Sequence, residues 1–508
     1  MRILVLYLFI LCSYSLPAQI VWEQHFGGTA TEDILNLCTG NNETFLAVGY
    51  TISDDIDIVD PKGQADGLMI FMNESGDILW SKTIGGSSND QLRSAVQHPS
   101  GEWYAVGISK SSDGDIDEGG NNTDQGLLCK FSESGEKLWC KAYGVLEDDE
   151  FYTISILDDN RLLLSGAVDN EDLFISSTVH SNQDFWLVEM DSSGQVIWER
   201  KYGGNDWDQA LHHTTDAQGN IYVTGFTYST DEDITTSYGL EDSWTIKTDS
   251  FGALIWQQSY GGSSLDQGRQ LLWVDQRLFL AGRTFSNDGT FNNQLIGQED
   301  GFIMELNPFD GSILQQQVSG GLLSDRISDL SWNGNYILST GYTRSDLNGN
   351  PSLGGADYWL RAFDLNLQQQ WTKTFGGSNE DIAQSILLSQ NQGLILAGSS
   401  FSNDQDVSGN YGGSDAWILM YDIANSIEDQ APKNPTYQVS EDRILINGVV
   451  DGPYRYSFYQ FDGKILSSGL QKALDGRLNI EEDHLKKGVL YLQHMKQNNL
   501  RYGLKIFR

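Results

Sequence analysis

One phrase recurs along this chain at a nearly constant interval, and it limits the fold more than anything else. In its fullest form it reads W-E-R-K-Y-G-G-N-D-W-D-Q from Trp198, then a short apolar run, then G-N-I-Y-V-T-G ending at Gly225. It starts again at Trp22, Trp80, Trp139, Trp256 and Trp371, and at Gln315, where glutamine replaces the tryptophan. Successive starts lie 58, 59, 59, 58, 59 and 56 residues apart. Self-similarity at a fixed period marks a repeat architecture, in which each unit buries its apolar surface against its neighbours.

The second unit shows what is repeated. Leu92 to Val96 is too short for a helix and stops at Pro99-Ser100-Gly101, so it reads as a strand. Strands are also expected over 102–109, 126–131 and 137–143, separated by a long acidic loop and by the turn Ser132-Glu133-Ser134-Gly135. Such runs, bounded by Gly, Asn, Asp and Ser, make antiparallel hairpins. Four-stranded units repeated radially make a β-propeller. The ends of the array predict ring closure. The last unit, 381–422, lacks a Trp strand, while Ile20-Val21-Trp22-Glu23 is a Trp strand with no blade before it. Joined, they complete a seventh blade and leave no open edge.

Recurrent residues have structural readings in that frame. In D-x-x-G-x-x-x-W (Asp191, Gly194, Trp198) the glycine supplies the positive φ of a hairpin turn. The tryptophan wedges between blades, and Gly203-Gly204 permits a tight passage into the next blade.

The N-terminus is Met1-Arg2, nine apolar residues from Ile3 to Leu11, then C-S-Y-S-L-P-A ending at Ala18. A charged start, a short apolar stretch and a small residue at the cut describe a secretory signal peptide. Its removal leaves Cys38, Cys129 and Cys140. Cys129 and Cys140 flank a tight turn and can either form a bridge across the hairpin or serve as two small apolar strand residues. Cys38 reads as a buried free thiol. Of the total charge of −39, residues 433–508 carry a net +4 and Arg2 one positive charge, so 19–432 carry −44. So acidic a body repels nucleic acid and anionic lipid.

Two carboxylates recur in register. One starts the innermost strand: Glu32, Asp90, Asp149, Asp208, Asp266, Asp325 and Asp381. The other precedes the third strand: Asp66, Asp124, Asp184, Asp242, Asp300, Asp357 and Asp415. Propeller topology puts both sets on one face. They can accept hydrogen bonds from turn amides. They can also form a ring of Ca²⁺ ligands, Asp90, Asp149, Asp208, Asp266, Asp325 and Asp381 foremost, because calcium takes carboxylate and carbonyl oxygens in flexible loops. No loop matches the twelve-residue calcium pattern, and no H-E-x-x-H, G-x-S-x-G or Walker motif occurs. His212-His213 is the oddest pair, but adjacent strand residues point to opposite faces.

Over 20–428, the run G-N-I-Y-V-T-G-F-T-Y-S-T-D, the loop G-L-E-D-S-W and K-T-D-S-F-G-A-L-I-W resemble the bacterial beta-propeller repeat family (SBBP type). That resemblance implies an extracytoplasmic propeller with no single assigned activity. Past a polar linker, the segments Asn434-Pro435, Phe461-Asp462-Gly463-Lys464, Leu485-Lys486-Lys487-Gly488-Val489-Leu490-Tyr491 and Lys505-Ile506-Phe507-Arg508 resemble the type A C-terminal sorting domain of type IX secretion. Gly488, Tyr491 and Lys505 carry the sorting signal in that likeness. Two residues separate Gly488 from Tyr491, where the family often has one, and the final residue is Arg. The resemblance implies partners in the type IX machinery, with release or attachment to surface lipopolysaccharide. The domains expected are therefore a signal peptide (1–18), an all-β seven-bladed propeller closed by its N-terminal strand (19–428), a linker (429–435) and a small sorting β-sandwich (436–508). The function expected is binding of a protein or glycan at the cell surface, by a chain with no transmembrane segment and no catalytic motif. The alternatives are a polysaccharide hydrolase or lyase with its site in the axial funnel, and a calcium-stabilised structural surface protein.

Overall fold

The computed structural model describes residues 20–423 apart from 145–147, 158–159, 170–181, 348–351 and 392; beyond 423 it describes only the backbone of strands between 436 and 506. The expected signal peptide and linker lie outside these residues. Contacts divide the chain into Ile20–Tyr421 and a unit containing Asp422–Arg508. No helix among the described residues is long and apolar enough to cross a membrane.

Residues 20–422 form seven four-stranded antiparallel sheets. The fourth blade is typical, with strands Asp208–Thr215, Ile221–Thr227, Asp242–Thr248 and Leu254–Tyr260 in spatial order. The inner strand of each blade packs on that of the next, and Glu32–Thr39 of the first packs on Asp381–Leu388 of the seventh, so the units form a circle. Ile20–Phe26 closes it as the outer strand of the seventh blade, antiparallel to Asp415–Asp422, with His25 opposite Trp417.

In the second blade the expected strands are present, beginning at Asp90, Trp103, Gln125 and Lys137. Trp103–Ser109 is buried on both faces, not on one as the spacing of Trp103, Ala105 and Gly107 suggests. The reason is geometric: a blade is covered by a neighbour on each side. Apolar clusters accordingly straddle adjacent blades, as where Leu163 and Phe185 of the third meet Ile221 and Trp244 of the fourth. Outer strands have one wet face, visible in exposed Val196 and Ile197 beside buried Trp198.

The recurrent tryptophan and the turn glycine turn out to be partners from different blades. Trp22, Trp80, Trp139, Trp198 and Trp256 each cover the D-x-x-G glycine of the following blade, while Trp371, which precedes the blade closed by the N-terminal strand, packs against Tyr421. An added Cβ would sit 2.7 Å from the Trp22 ring at Gly76, 2.7 Å from Trp80 at Gly135 and 3.0 Å from Trp198 at Gly252. The glycine is required twice over, by its positive φ and by the ring on top of it. The exception supports this account. Where Gln315 replaces tryptophan, the next blade's turn carries Leu367 at φ 57 in place of glycine. Leu367 is buried, filling the space the ring would take, and Gln315 donates to the carbonyl of Leu365 at 2.8 Å.

In the C-terminal unit the backbone forms a three-stranded sheet (Thr436–Val439, Arg443–Asn447, Arg477–Glu481) and a four-stranded one (Gly452–Tyr459, Ile465–Ala473, Gly488–His494, Arg501–Ile506). Gly488 pairs with Ile506, Tyr491 with Gly503, and Lys505 with Val489, which puts all three residues of the expected signal on one hairpin.

Candidate functional site

At six of the seven blade junctions the two carboxylate registers converge on the first glycine of the Gly-Gly step. A Cβ on Gly203 would lie 2.0 Å from Asp184 Oδ1 and 2.6 Å from Asp208 Oδ2. At Gly376 the same atoms of Asp357 and Asp381 would be 2.4 and 2.7 Å away. Glycine is present because only a hydrogen fits between two carboxylates.

The inner ring acts as a clip, with Asp208 using one oxygen only. Asp266 accepts from Gly262 N at 2.7 Å, Thr284 Oγ1 at 2.5 Å and Ser286 Oγ at 2.6 Å. Asp90, Asp325 and Asp381 are held in the same way by a glycine amide and two hydroxyls. Asp208 accepts from Gly204 N and Ser229 Oγ, and Asp149 from Asp169 N. The outer ring uses one oxygen only. Asp242 Oδ2 accepts from Tyr238 N at 2.7 Å, and its Oδ1 is buried without a hydrogen bond, as are Oδ1 of Asp66, Asp300, Asp357 and Asp415. Among the described residues no group of three or more His, Cys, Asp or Glu is arranged to hold a metal ion. Burial pushes Asp208 and Asp357 up to about 7 and Asp415 up to about 6.

One outer-ring assignment needs correction. In the second blade the position belongs to Gln125, which pairs with Ser109 as Asp66 pairs with Thr51. Asp124 lies one residue earlier and forms an ion pair with Lys110 at 2.8 Å. The long loop of that blade ends in Thr123-Asp124-Gln125, so counting to the nearest aspartate lands a residue short.

The fifth junction has a cation in its apolar layer. Arg361 is fully buried, its guanidinium 3.5 Å from the centre of the Trp359 ring, and none of its three side-chain nitrogens has a hydrogen-bond partner. Equivalent positions hold Ile70, Cys129, Val188, Ile246, Met304 and Leu419. Burial lowers its pKa to about 9 even though Asp325 and Asp300 oppose the shift. Arg361→Met should therefore stabilise the propeller by about 1–4 kcal/mol, read as a higher melting temperature by calorimetry. A lower melting temperature would show that the two aspartates need this charge.

The axis is where the blades stop being alike. Every inner strand has a β-bulge three residues after its ring carboxylate, and the unpaired residues are Leu35, Arg93, Tyr152, Leu211, Arg269, Ser328 and Gln384. Bulges re-aim side chains, and all seven of these line one axial cavity of about 820 Å³. The bulge also explains the glycine ending the second strand's apolar run. A Cβ on Gly225 would meet the carbonyl oxygen of Gln209 at 1.8 Å, with equivalents at Gly49, Gly107, Gly166, Gly282, Gly341 and Gly398.

Arg93 stacks over Tyr152 at 5.1 Å, and the Tyr152 hydroxyl donates to Gln209 at 3.3 Å. Arg269 donates to Gln267 at 3.0 Å. Burial, with the charges of Arg326, Arg283 and Arg93, lowers its pKa to about 9. Asp33 is pushed up to about 7 by burial, against hydrogen bonds from Ser399 and Gln384 and the pull of Arg93. Glu150 is raised, chiefly by burial. The bulge residues escape a reading based on what repeats, because they are what varies. Comparing the third residue after each ring carboxylate would have found them.

His212 and His213 have separate surroundings. His213 bridges Ser155 and Ser165 at 2.7 and 2.8 Å between two blades, while His212 Nδ1 accepts from Leu271 N at 3.2 Å at the cavity wall. Burial lowers them to about 3 and about 4. Cys129 and Cys140 face each other in the hairpin and are disulfide-bonded. Cys38 is free, and burial raises it to about 12.

The fold and channel define a closed seven-bladed propeller with an asymmetric polar axis. No family model matches the chain. It is similar to the Regulatory protein FlaEY of Caulobacter vibrioides, at 19% identity over 401 residues, 70% of this chain and 41% of that protein. The chain thus spans about two fifths of that relative's length. Among solved structures, Phage phi92 endosialidase aligns at TM-score 0.39 and 9% identity, covering 95% of this chain and 87% of that one.

Proposed function

We propose that this is an exported, surface-attached or extracellular β-propeller that binds a glycan or protein at the face carrying the carboxylate rings and the mouth of the axial channel. The observation behind this reading is the contrast between scaffold and axis. Clips, wedges and turns repeat around the ring, while the seven bulge residues differ in size, charge and polarity. Repetition serves assembly; variation at a shared inward position serves recognition. Screening the mature chain on a glycan array and in pull-downs tests it, with retained binding expected from the native chain and loss expected when Arg93 and Tyr152 are both changed to alanine. Equal binding by that double variant would move the site off the axis.

A second reading, a polysaccharide hydrolase or lyase, draws on Asp33. A carboxyl held near 7 is a competent general acid at neutral pH. Release of reducing ends from an acid polysaccharide, abolished in Asp33→Asn, would favour it. Calcium binding at the rings is a further proposal, resting on the unbonded Oδ1 atoms of the outer ring. Titration with Ca²⁺ giving neither heat nor a higher melting temperature would remove it. Export by type IX secretion rests on the resemblance of 436–508, and a chain lacking 433–508 should accumulate in the periplasm.

A further inference from the structure

Arginine is scarce in the acidic propeller, yet Arg93 and Arg269 come from blades on different sides of the ring and reach one cavity, with Arg283 beside them. The Nε atoms of all three are shielded from water and make no hydrogen bond. Leaving such donors unmatched in a protein interior is costly. Arg283 lies 3.5 Å from Glu299, which is also 3.2 Å from Arg326. Arg93 and Arg269 are in no ion pair with a carboxylate among the described residues.

Resting on the proposed glycan-binding reading, we infer that the axial channel is a recognition site for an acidic sugar, whose carboxylate is taken by Arg93 and Arg269. A guanidinium fork matches the planar, two-oxygen carboxylate. The rest of the wall suits a sugar ring. Gln209, Gln267 and Gln384 offer amides to hydroxyls, and Tyr152 a phenol and an aromatic face. Asp33, Glu150 and Glu241 stand close to the arginines. They accept from sugar hydroxyls but repel a doubly charged phosphate, which favours a carboxylate over a phosphate ester. The volume of about 820 Å³ is within the range of about 300–1,000 Å³ usual for small-ligand pockets.

The test uses the full chain on an array of uronate-containing oligosaccharides, their methyl esters and neutral glycans, followed by calorimetry on the best binder. Free acids should be retained and methyl esters should bind at least ten-fold more weakly. Arg269→Gln and Arg93→Gln should each weaken the acid at least ten-fold without lowering the melting temperature. Simple uronate monosaccharides, compared with oligomers, show whether one sugar or a chain is read. Capture of neutral glycans or esters as well as acids would overturn this inference and leave glycan binding standing. Capture of nothing would overturn both. Acid binding unchanged in both arginine variants would place the anion elsewhere and overturn the assignment to the axis.

Discussion

Gly225→Ala should cost the propeller more than about 3 kcal/mol of stability, enough to make it fail to accumulate or unfold at low urea. Gly225 is buried within a strand, and its own φ is not the constraint. The bulge on the neighbouring inner strand brings the Gln209 carbonyl against its Cα, so a methyl would sit 1.8 Å from that oxygen and 2.8 Å from its carbon. The atoms it meets are all backbone atoms of Gln209 and Ala210, so no side chain can swing away to make room. Relief requires undoing the bulge, which would withdraw Leu211 from the axis and shift the register of the pairs on one side of it, such as those of His212–Thr215. Gly409→Ala, where an added Cβ meets nothing within 4 Å, is the control and should be neutral or slightly stabilising. Urea titration followed by tryptophan fluorescence measures both. If the Gly225 variant unfolds within about 0.5 kcal/mol of the native chain, the bulge cannot be a fixed part of the blade.

That prediction also marks where the sequence stops being readable. A β-bulge is a backbone event with no residue signature of its own. Its consequence, glycine across the strand, looks in sequence like one more strand-ending glycine. The hairpin turns, the blade count and closure by Trp22's strand are legible because period, turn chemistry and unmatched ends are local properties. The Trp–Gly contact between blades spans more than fifty residues, so the Gln315 substitution is visible but its partner Leu367 is not. Gly-Gly reads as a tight passage, while the cause, two carboxylates closing on one Cα, needs three segments in space. Register was lost only at Asp124, where loop length differs. The axial funnel is legible as a place, but the residues lining it are not, for a different reason. Looking for what recurs averages away the position at which Arg93, Tyr152 and Arg269 replace one another, and with it the candidate site.

The propeller should be more stable near pH 5 than near pH 8, the reverse of the usual behaviour of salt-bridged carboxylates. Burial holds Asp33, Asp208 and Asp357 near 7 and Asp329 and Asp415 near 6 in the folded chain. The unfolded value is about 3.9. Between those limits the folded state binds more protons, so this contribution is present in full below about pH 4, declines throughout the interval, and is gone once pH has risen through the folded values of 6 to 7. His212 and His213 oppose it. Their folded values of about 4 and about 3 lie below the ordinary 6.5, so stability is lost as pH falls beneath 6.5. Five carboxylates outweigh two imidazoles, and self-repulsion in a chain of net charge −39 adds to the loss at high pH. Below pH 4 the sign changes. Glu23, Glu102 and Asp191 have depressed values and lose their partners on protonation. Melting temperature against pH should therefore peak near about 4 and fall up to about 7, most steeply between about 4.5 and 6.5. Asp208→Asn should flatten that fall at constant ionic strength, because an amide keeps the shape of the clip and cannot ionise. Added salt should soften only the part due to surface repulsion. A melting temperature that climbs steadily from pH 5 to pH 8 would mean that the junction carboxylates are ionised and paired with a cation. That outcome would strengthen the calcium reading at the expense of the clip.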